Sequence, residues 1–276
     1  MHIVRFAEAT SAPQVGILAV DGAITAFAGA DTIAELLRLP AATLQERCAD
    51  PGGESVPADR VRLLPPVDGR TEVWAAGVTY VRSREARVAE SEKSATVYEQ
   101  VYDADRPEIF FKSAAWKVVG DQEPIAIRSD STVDVPEPEL AVVANAGGEI
   151  VGFSVCDDVS SRSIEGENPL YLPQAKVFAG GCALGPGIRP AWEIADPYRL
   201  GIALRIHRDG ETVWSGEANT DQLHRKLDDL LRYLRHSDLF PDGVVLSTGT
   251  CLVPDLPFTL QAGDRIDIEI DEVGTL

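Results

Sequence analysis

Long apolar runs and closely paired cysteines are both missing from this sequence. No stretch of the 276-residue chain reaches the roughly 18 apolar residues that a membrane span needs, and residues 1–6 do not form the apolar core of a signal peptide. The four cysteines show no C-x-x-C spacing, so we expect reduced and mostly buried thiols. These absences favour a cytoplasmic protein that does not enter the membrane.

Positive charge is also scarce. The chain has 25 lysines and arginines against 44 aspartates and glutamates, which gives a formal net charge of −19. A surface this negative disfavours binding to nucleic acid and to anionic membranes. An anionic substrate would therefore need a metal ion or a local group of basic side chains to hold it.

What the chain does have is a large apolar fraction spread over many short segments. Hydrophobic residues make up 45% of the sequence, enough for the core of a small domain and a larger one. Residues 1–65 are typical of a small α/β domain, with a hairpin turn at Asp21-Gly22 and a capping box formed by Thr32 and Glu35. We assign residues 66–276 to a second, larger domain.

The larger domain shows mainly strand patterns. They fall at residues 72–80, 107–112, 140–144, 150–156, 201–207, 211–215 and 265–270. Helical patterns cover roughly residues 83–101 and 221–236, and we interpret the glycine-rich residues 180–187 as a turn-rich loop. The prediction is a mostly β (α+β) fold with a few helices.

Two glutamates, Glu137 and Glu139, precede the uncharged residues 140–144. Side chains two apart in a strand point to one face, so both carboxylates can approach one point. A solvated strand edge is the alternative, and it fits many acid pairs in so acidic a chain. The uncharged run favours a buried strand instead, and buried carboxylates need a partner.

A third acid and a lysine follow this pair. Asp158 comes just after the apolar residues 150–156, and Lys176 lies in the otherwise uncharged residues 172–178. Three converging carboxylates form a site for a hard divalent cation such as Mg²⁺, and a lysine beside it could transfer protons. The alternatives are a helix N-cap at Asp158 or Ser160 and a surface lysine at position 176.

Several short motifs occur in a fixed order along residues 70–276. They are Gly77-Val78-Thr79-Tyr80, Ile109-Phe110-Phe111-Lys112, Glu137-Pro138-Glu139-Leu140, Asp158-Val159-Ser160-Ser161-Arg162, Lys176, Leu184-Gly185-Pro186 and Thr248-Gly249-Thr250. Together they resemble the fumarylacetoacetate hydrolase family. The resemblance implies a fumarylacetoacetate hydrolase-like mixed β-roll that follows the small N-terminal α/β domain.

The resemblance also implies a site. Glu137, Glu139 and Asp158 would hold the metal, which is Mg²⁺ with Mn²⁺ or Ca²⁺ as alternatives. Lys176 would lie beside the metal, and Thr250 would line the pocket for a small-molecule 2-keto acid. Members of the family commonly form dimers or tetramers, so we expect a homodimer or a homotetramer.

One position departs from the pattern of the hydrolases in this family. They carry a histidine three residues after the tyrosine of a Gly-x-Asn-Tyr motif, as the base that activates water, whereas this chain has Ser83 there and no histidine nearby. Residues 82–87, 107–112 and 164–176 instead resemble the branch of 2-keto-3-deoxy-D-arabinonate and D-xylonate dehydratases. Ser163 stands where many members carry aspartate, which would alter hydrogen bonding around the site.

The resemblance therefore implies dehydration of a 2-keto-3-deoxy-pentonate to 2,5-dioxopentanoate through a metal-stabilised enolate. Lys176 and Glu108 are the candidates for the base and the acid, with the two roles not assigned between them. Arg82, Arg84 and Thr250 are the candidates for binding the substrate, since arginine holds carboxylates through bidentate hydrogen bonds. A plain strand residue at Glu108 and helix-surface ion pairs of the two arginines are the alternatives.

The same residues are compatible with other functions. An acylpyruvate hydrolase or an oxaloacetate decarboxylase of the same fold would use the same metal and enolate chemistry. Ser83 argues against the hydrolase more than against the decarboxylase, which needs no activated water. A non-catalytic protein that binds keto acids and keeps the metal site is an alternative of another class.

Overall fold

The computed structural model describes residues 1–81 and 100–276. Its strands are β1 (His2–Ala7), β2 (Gln14–Leu18), β3 (Ala23–Phe27), β4 (Gly52–Pro57), β5 (Arg62–Leu64), β6 (Glu72–Gly77), β7 (Glu108–Ala114), β8 (Asp134–Val135), β9 (Pro138–Ala144), β10 (Ile150–Asp158), β11 (Ser160–Ser161), β12 (Cys182–Pro190), β13 (Gly201–Arg208), β14 (Glu211–Asn219), β15 (Val244–Thr250), β16 (Arg265–Ile270) and β17 (Gly274–Thr275). The α-helices that lie wholly within these residues are α1 (Ile33–Leu37), α2 (Ala41–Ala49), α3 (Arg162–Glu167), α4 (Leu172–Lys176) and α5 (Leu227–Leu234), and residues 100–103 are helical as well. Strands dominate, which confirms the predicted mostly β fold.

Most strands belong to one mixed sheet of eleven strands. Its order is β4-β3-β2-β1-β12-β10-β9-β15-β6-β7, with β5 beside β1, and β15 runs parallel to β6 while the other neighbours are antiparallel. The strands of the N-terminal region join this sheet where Ile3 of β1 lies opposite Ile188 of β12. The predicted boundary near residue 65 therefore lies within a continuous sheet, and the division into two domains stays a prediction.

Strand β9 lies near the middle of this sheet and is buried on both faces. Leu140 and Val142 pack against the second sheet, whose order is β14-β13-β16-β17. Ala141 and Val143 alternate with them and pack toward α1 and α2. This two-sided burial explains why the run carries no charge, and it confirms the buried strand predicted there.

Several local predictions are confirmed. Thr32 accepts a hydrogen bond from the backbone N–H of Glu35, whose side chain accepts one from Thr32, so the capping box caps α1. The four cysteines are free and buried. Helix α5 buries its leucines as the spacing predicted, but it is shorter than residues 221–236 because Thr220–Gln222 form a separate 3₁₀ turn.

The predicted turn-rich loop at residues 180–187 is wrong. Most of this segment belongs to β12, which pairs with both β10 and β1. A Cβ atom at Gly187 would lie 2.7 Å from the carbonyl oxygen of Ile3. Glycine is therefore needed for the close approach of two strands rather than for a turn.

The helix predicted for residues 83–101 lies almost entirely outside the described residues. Within residues 1–81 and 100–276, no helix combines the length and the apolar character that crossing a membrane requires.

Candidate active site

Three acidic side chains meet at one end of β9 and β10. Glu139 lies on β9 opposite Cys156, Glu137 directly precedes β9, and Asp158 is the last residue of β10. All three side chains are buried, and each offers a carboxylate oxygen within 4.8 Å of those of the other two. The spacing that suggested convergence of Glu137 and Glu139 thus corresponds to a real cluster.

Asp158 does not cap the helix that follows it. The N-cap of α3 is Ser161, whose side chain accepts the backbone N–H of Ile164. The alternative of a helix cap at Asp158 or Ser160 is therefore wrong, and the Asp158 carboxylate is directed into the cluster instead.

Buried cations contact two of the three acids. Glu137 Oε1 accepts a hydrogen bond from Arg162 Nη2 at 2.7 Å, and Glu137 Oε2 accepts one from Lys176 Nζ at 2.7 Å. Asp158 Oδ2 lies 3.0 Å from Lys176 Nζ, and Asp158 Oδ1 lies 2.5 Å from Lys112 Nζ. The negative charge of these two acids is thus largely balanced by cations.

Glu139 is held differently. Its Oε2 accepts hydrogen bonds from two neutral donors, the hydroxyl of Ser247 at 2.5 Å and the backbone N–H of Gly249 at 2.8 Å. Burial, together with repulsion from Asp158 and Glu137, raises the pKa of Glu139 to about 8. The positive charge of Lys176 offsets this rise only in part, since its ammonium group bonds to Glu137 and Asp158. Because the donor set consists of carboxylate oxygens, the residues fit a hard divalent cation such as Mg²⁺.

Lys176 lies among these acids. It ends α4, its side chain is 1% exposed, and Nζ also donates a hydrogen bond to Ser160 Oγ at 2.5 Å. The ammonium group lies 5.6 Å from the centre of the Phe110 ring. The alternative of a surface lysine is therefore wrong.

Glu108 begins β7, on the strand that carries Phe110. Alternation along β7 places Glu108, Phe110 and Lys112 on one face, which is the face that meets Lys176. The carboxylate of Glu108 packs against Gly77, where a Cβ atom would overlap its Oε2. Glycine at position 77 therefore leaves room for this half-buried acid.

Thr250 is the neighbour of Glu139 in the β9–β15 pair. Its hydroxyl lies 3.0 Å from Pro138 O and 2.9 Å from Leu252 O, and it accepts the N–H of Leu252. The side chain is thus beside the cluster with its hydroxyl bonded to main chain. Arg82, Arg84 and Ser83 lie outside the described residues.

Within the described residues, three side chains bond directly to these carboxylates without having been among the predicted site residues: Lys112, Arg162 and Ser247. Lys112 is fully buried and donates hydrogen bonds to Val159 O at 2.9 Å and to Lys176 O at 2.7 Å. A lysine at the end of an apolar strand segment is the same signal that singled out Lys176. Ser247 gives no such signal, because only the pairing of β15 with β9 brings it to Glu139.

Ser163 hydrogen-bonds to residues of the segment before β8. Its hydroxyl accepts the N–H of Thr132 at 3.1 Å and lies 3.0 Å from Ser131 Oγ. The serine thus ties α3 to the segment before β8.

Known proteins with similar sequences indicate the family of this chain. The family model described as fumarylacetoacetate (FAA) hydrolase C-terminal matches residues 72–276, and the model described as Rv2993c-like, N-terminal matches residues 1–66. The chain is 49% identical over 211 residues to the probable 2-keto-3-deoxyxylonate dehydratase of Haloferax volcanii, covering 76% of this chain and 72% of that protein.

A further relative and a solved structure are also similar to this chain. The 2-dehydro-3-deoxy-D-arabinonate dehydratase of Saccharolobus solfataricus is 46% identical over 219 residues, which covers 78% of this chain and 73% of the relative. A solved structure described as 2-keto-3-deoxy-D-arabinonate dehydratase complexed with magnesium and 2,5-dioxopentanoate superposes with a TM-score of 0.86 and 36% identity, covering 100% of this chain and 97% of the other.

Proposed function

The chain belongs to the fumarylacetoacetate hydrolase family, and we propose that it is a magnesium-dependent dehydratase that converts a 2-keto-3-deoxy-pentonate, the arabinonate or the xylonate, to 2,5-dioxopentanoate. The observation that carries this proposal is the buried cluster of Glu137, Glu139 and Asp158 with Lys176 among them. Identities of 49% and 46% to two proteins named as such dehydratases support it.

Glu137, Glu139 and Asp158 are the residues that would hold Mg²⁺. When bound, Mg²⁺ supplies Lewis-acid polarisation of the substrate's 2-keto group, which acidifies the protons on C3. These three residues are at most 2% exposed. Burial keeps bulk water from competing for these groups and strengthens their electrostatic interactions.

Lys176 and Glu108 carry the two proton transfers in this proposal. One removes a proton from C3, and the other donates a proton to the C4 hydroxyl, which leaves as water. The resulting C3–C4 double bond becomes the enol of the C5 aldehyde when a proton moves from C5 to C3. Tautomerisation of that enol gives 2,5-dioxopentanoate. The contact of Lys176 Nζ with the ring of Phe110, two residues after Glu108 on β7, supports a position of both groups beside one substrate.

Thr250, Arg82 and Arg84 are the residues proposed to bind the substrate. The pairing of Thr250 with Glu139 supports its place at the pocket wall. The proposed role of the two arginines is supported only by the resemblance of residues 82–87 to the dehydratase branch.

A substrate panel tests the proposal. Purified protein with Mg²⁺ is incubated with 2-keto-3-deoxy-D-arabinonate, 2-keto-3-deoxy-D-xylonate, an acylpyruvate and oxaloacetate, and products are identified by NMR. We expect 2,5-dioxopentanoate from at least one of the two sugar acids. Turnover of the acylpyruvate or oxaloacetate alone would contradict the proposal.

Proton exchange at C3 then assigns the two roles. In D₂O the variant that lacks the acid, but keeps the base, should still exchange the C3 protons without forming product. The variant that lacks the base should do neither. Comparing Glu108→Gln with Lys176→Met therefore identifies the base, and exchange in neither or in both would show that these residues do not divide the two steps.

The remaining proposals concern the protein as a whole. The four free cysteines support action in a reducing compartment, the cytoplasm. Family models that meet between residues 66 and 72 support a small domain at residues 1–65 and a larger one at 66–276. A homodimer or homotetramer is tested by light scattering on the purified protein.

A further inference from the structure

Asp157 directly precedes the acid Asp158 on β10 but points to the opposite face of the sheet. It is 2% exposed, and its Oδ1 accepts the backbone N–H of Glu137 at 3.0 Å. We propose that Asp157 is a positioning residue of the active site, which fixes the main chain of Glu137 so that its carboxylate reaches the metal centre. This inference rests on the proposed metal centre.

The prolines on either side of Glu137 explain why this hydrogen bond matters. Pro138 is the partner of Asp157 in the β9–β10 ladder, yet proline has no N–H to donate. Pro136 has none either, so the N–H of Glu137 is the donor available in this segment. The side chain of Asp157 takes up that donor one residue before the regular ladder begins.

A second hydrogen bond connects Glu137 to β10. The carbonyl oxygen of Glu137 accepts the backbone N–H of Asp158 at 3.0 Å. Glu137 is therefore held on both sides of its main chain by two adjacent residues of β10. Removing the side-chain acceptor would leave one of these two bonds and a buried N–H without a partner, which is unfavourable.

The bond can be removed by a substitution that keeps the branched shape of the side chain. Leucine branches at Cγ as aspartate does, but it has no acceptor oxygen. A cavity of about 770 Å³ lies on the side of the sheet that faces β16, and Asp157 and Asp121 both line it. Asp121 contacts Gln122 rather than Glu137, so it provides a matched control in the same cavity.

Binding of Mg²⁺ to the metal-free protein, measured by calorimetry, is the test. We expect Asp157→Leu to weaken Mg²⁺ binding by 10- to 100-fold, the range typical when a partner of a metal ligand is lost. Asp157→Asn keeps an acceptor oxygen in the same place, so it should bind Mg²⁺ as the wild type does. Asp121→Leu should also bind as the wild type does.

The outcomes separate the proposals. Normal Mg²⁺ affinity in Asp157→Leu, with only a lower melting temperature, would show a merely structural role and overturn the inference. Equal losses in Asp157→Asn and Asp157→Leu would show that charge, not the hydrogen bond, matters, and would also overturn it. If Asp157→Leu does not fold, Asp157→Ala gives the same comparison. Lack of Mg²⁺ binding by the wild type would contradict the proposed function, and this inference with it.

Discussion

Two buried carboxylates in this protein, Asp242 and Glu139, are stabilised in opposite ways. Asp242 is bound by the guanidinium groups of Arg38 and Arg70, with N–O distances of 2.9 to 3.2 Å, and it accepts the backbone N–H of Arg70. These hydrogen bonds hold its pKa well below the usual range. Glu139 instead receives hydrogen bonds from neutral groups beside two other acids, and its pKa is raised to about 8.

The difference separates a structural ion pair from a binding site. The two arginines already neutralise Asp242, so this site does not need a further cation. The ion pairs of Asp242 connect α1 to the segments before β6 and β15. At the other site, the negative charge of Glu139 is only partly offset, and a divalent cation bound by the three acids would neutralise it. Within the described residues Glu139 is hydrogen-bonded by neutral donors rather than by cations, and this difference, more than burial itself, distinguishes the candidate metal site.

The largest expected effect follows from Lys176→Met. Loss of a proton-transfer group should lower kcat by 10²- to 10⁴-fold, while the three carboxylates remain to bind Mg²⁺. Product formation from the sugar acids measures it. Lys226→Met, which changes an exposed lysine, is the control and should be as active as the wild type. Activity within tenfold of wild type in Lys176→Met would remove this lysine from the chemistry.

Glu139→Gln should abolish the stabilisation that Mg²⁺ gives. For the wild type, Mg²⁺ at 100 times its Kd should add about 2.7 kcal/mol to the free energy of unfolding. Without Mg²⁺ the variant should be at least as stable as the wild type, because the neutral amide removes repulsion from Glu137 and Asp158. Thermal melts with Mg²⁺ and with EDTA measure both effects, and an unchanged Mg²⁺ shift in the variant would refute them.

Asp242→Asn should have the opposite effect on the metal-free protein. It weakens charged hydrogen bonds to two arginines, so the free energy of unfolding should fall by about 2 kcal/mol. The Mg²⁺-dependent shift should stay as in the wild type. Urea unfolding of both proteins measures the loss, and a stable variant would show that this cluster contributes little.

The smallest expected effect is the difference in the free energy of unfolding between Asp242→Asn and the wild type at acidic pH. Because the folded-state pKa of Asp242 is lowered, its stabilisation is complete above the ordinary aspartate pKa of about 3.9. It is lost as the pH falls below that value toward the folded-state pKa. Unfolding measured from pH 6 to pH 2.5 should show the two proteins converging, and a constant difference would point to another cause.

Much of the fold and of the cluster could be predicted from local pattern. The uncharged run identified β9, strand patterns identified β13 and β16, and the capping box identified the start of α1. The spacing of Glu137 and Glu139, followed by Asp158 and Lys176, indicated the residues that the structure brings together. The strand patterns, the capping box and the Glu137–Glu139 spacing depend on residues close in sequence, whereas the grouping of Asp158 and Lys176 with the two glutamates rested on the family resemblance.

The rest depends on contacts between distant segments. Strand β12 looks like a loop because its glycines serve close packing against β1, which lies about 180 residues away. Ser247 reaches Glu139 only through the pairing of β15 with β9. The separate roles of Asp157 and Asp158 follow from which face of β10 each occupies, and two adjacent aspartates do not reveal that in sequence.

A crystal structure with Mn²⁺ and pyruvate would show directly whether the metal and a keto acid bind at this site. We expect an anomalous peak among the carboxylates of Glu137, Glu139 and Asp158, with pyruvate beside it and within reach of both Lys176 and Glu108. A peak elsewhere, or pyruvate bound away from Lys176 and Glu108, would contradict metal-assisted dehydration at this site.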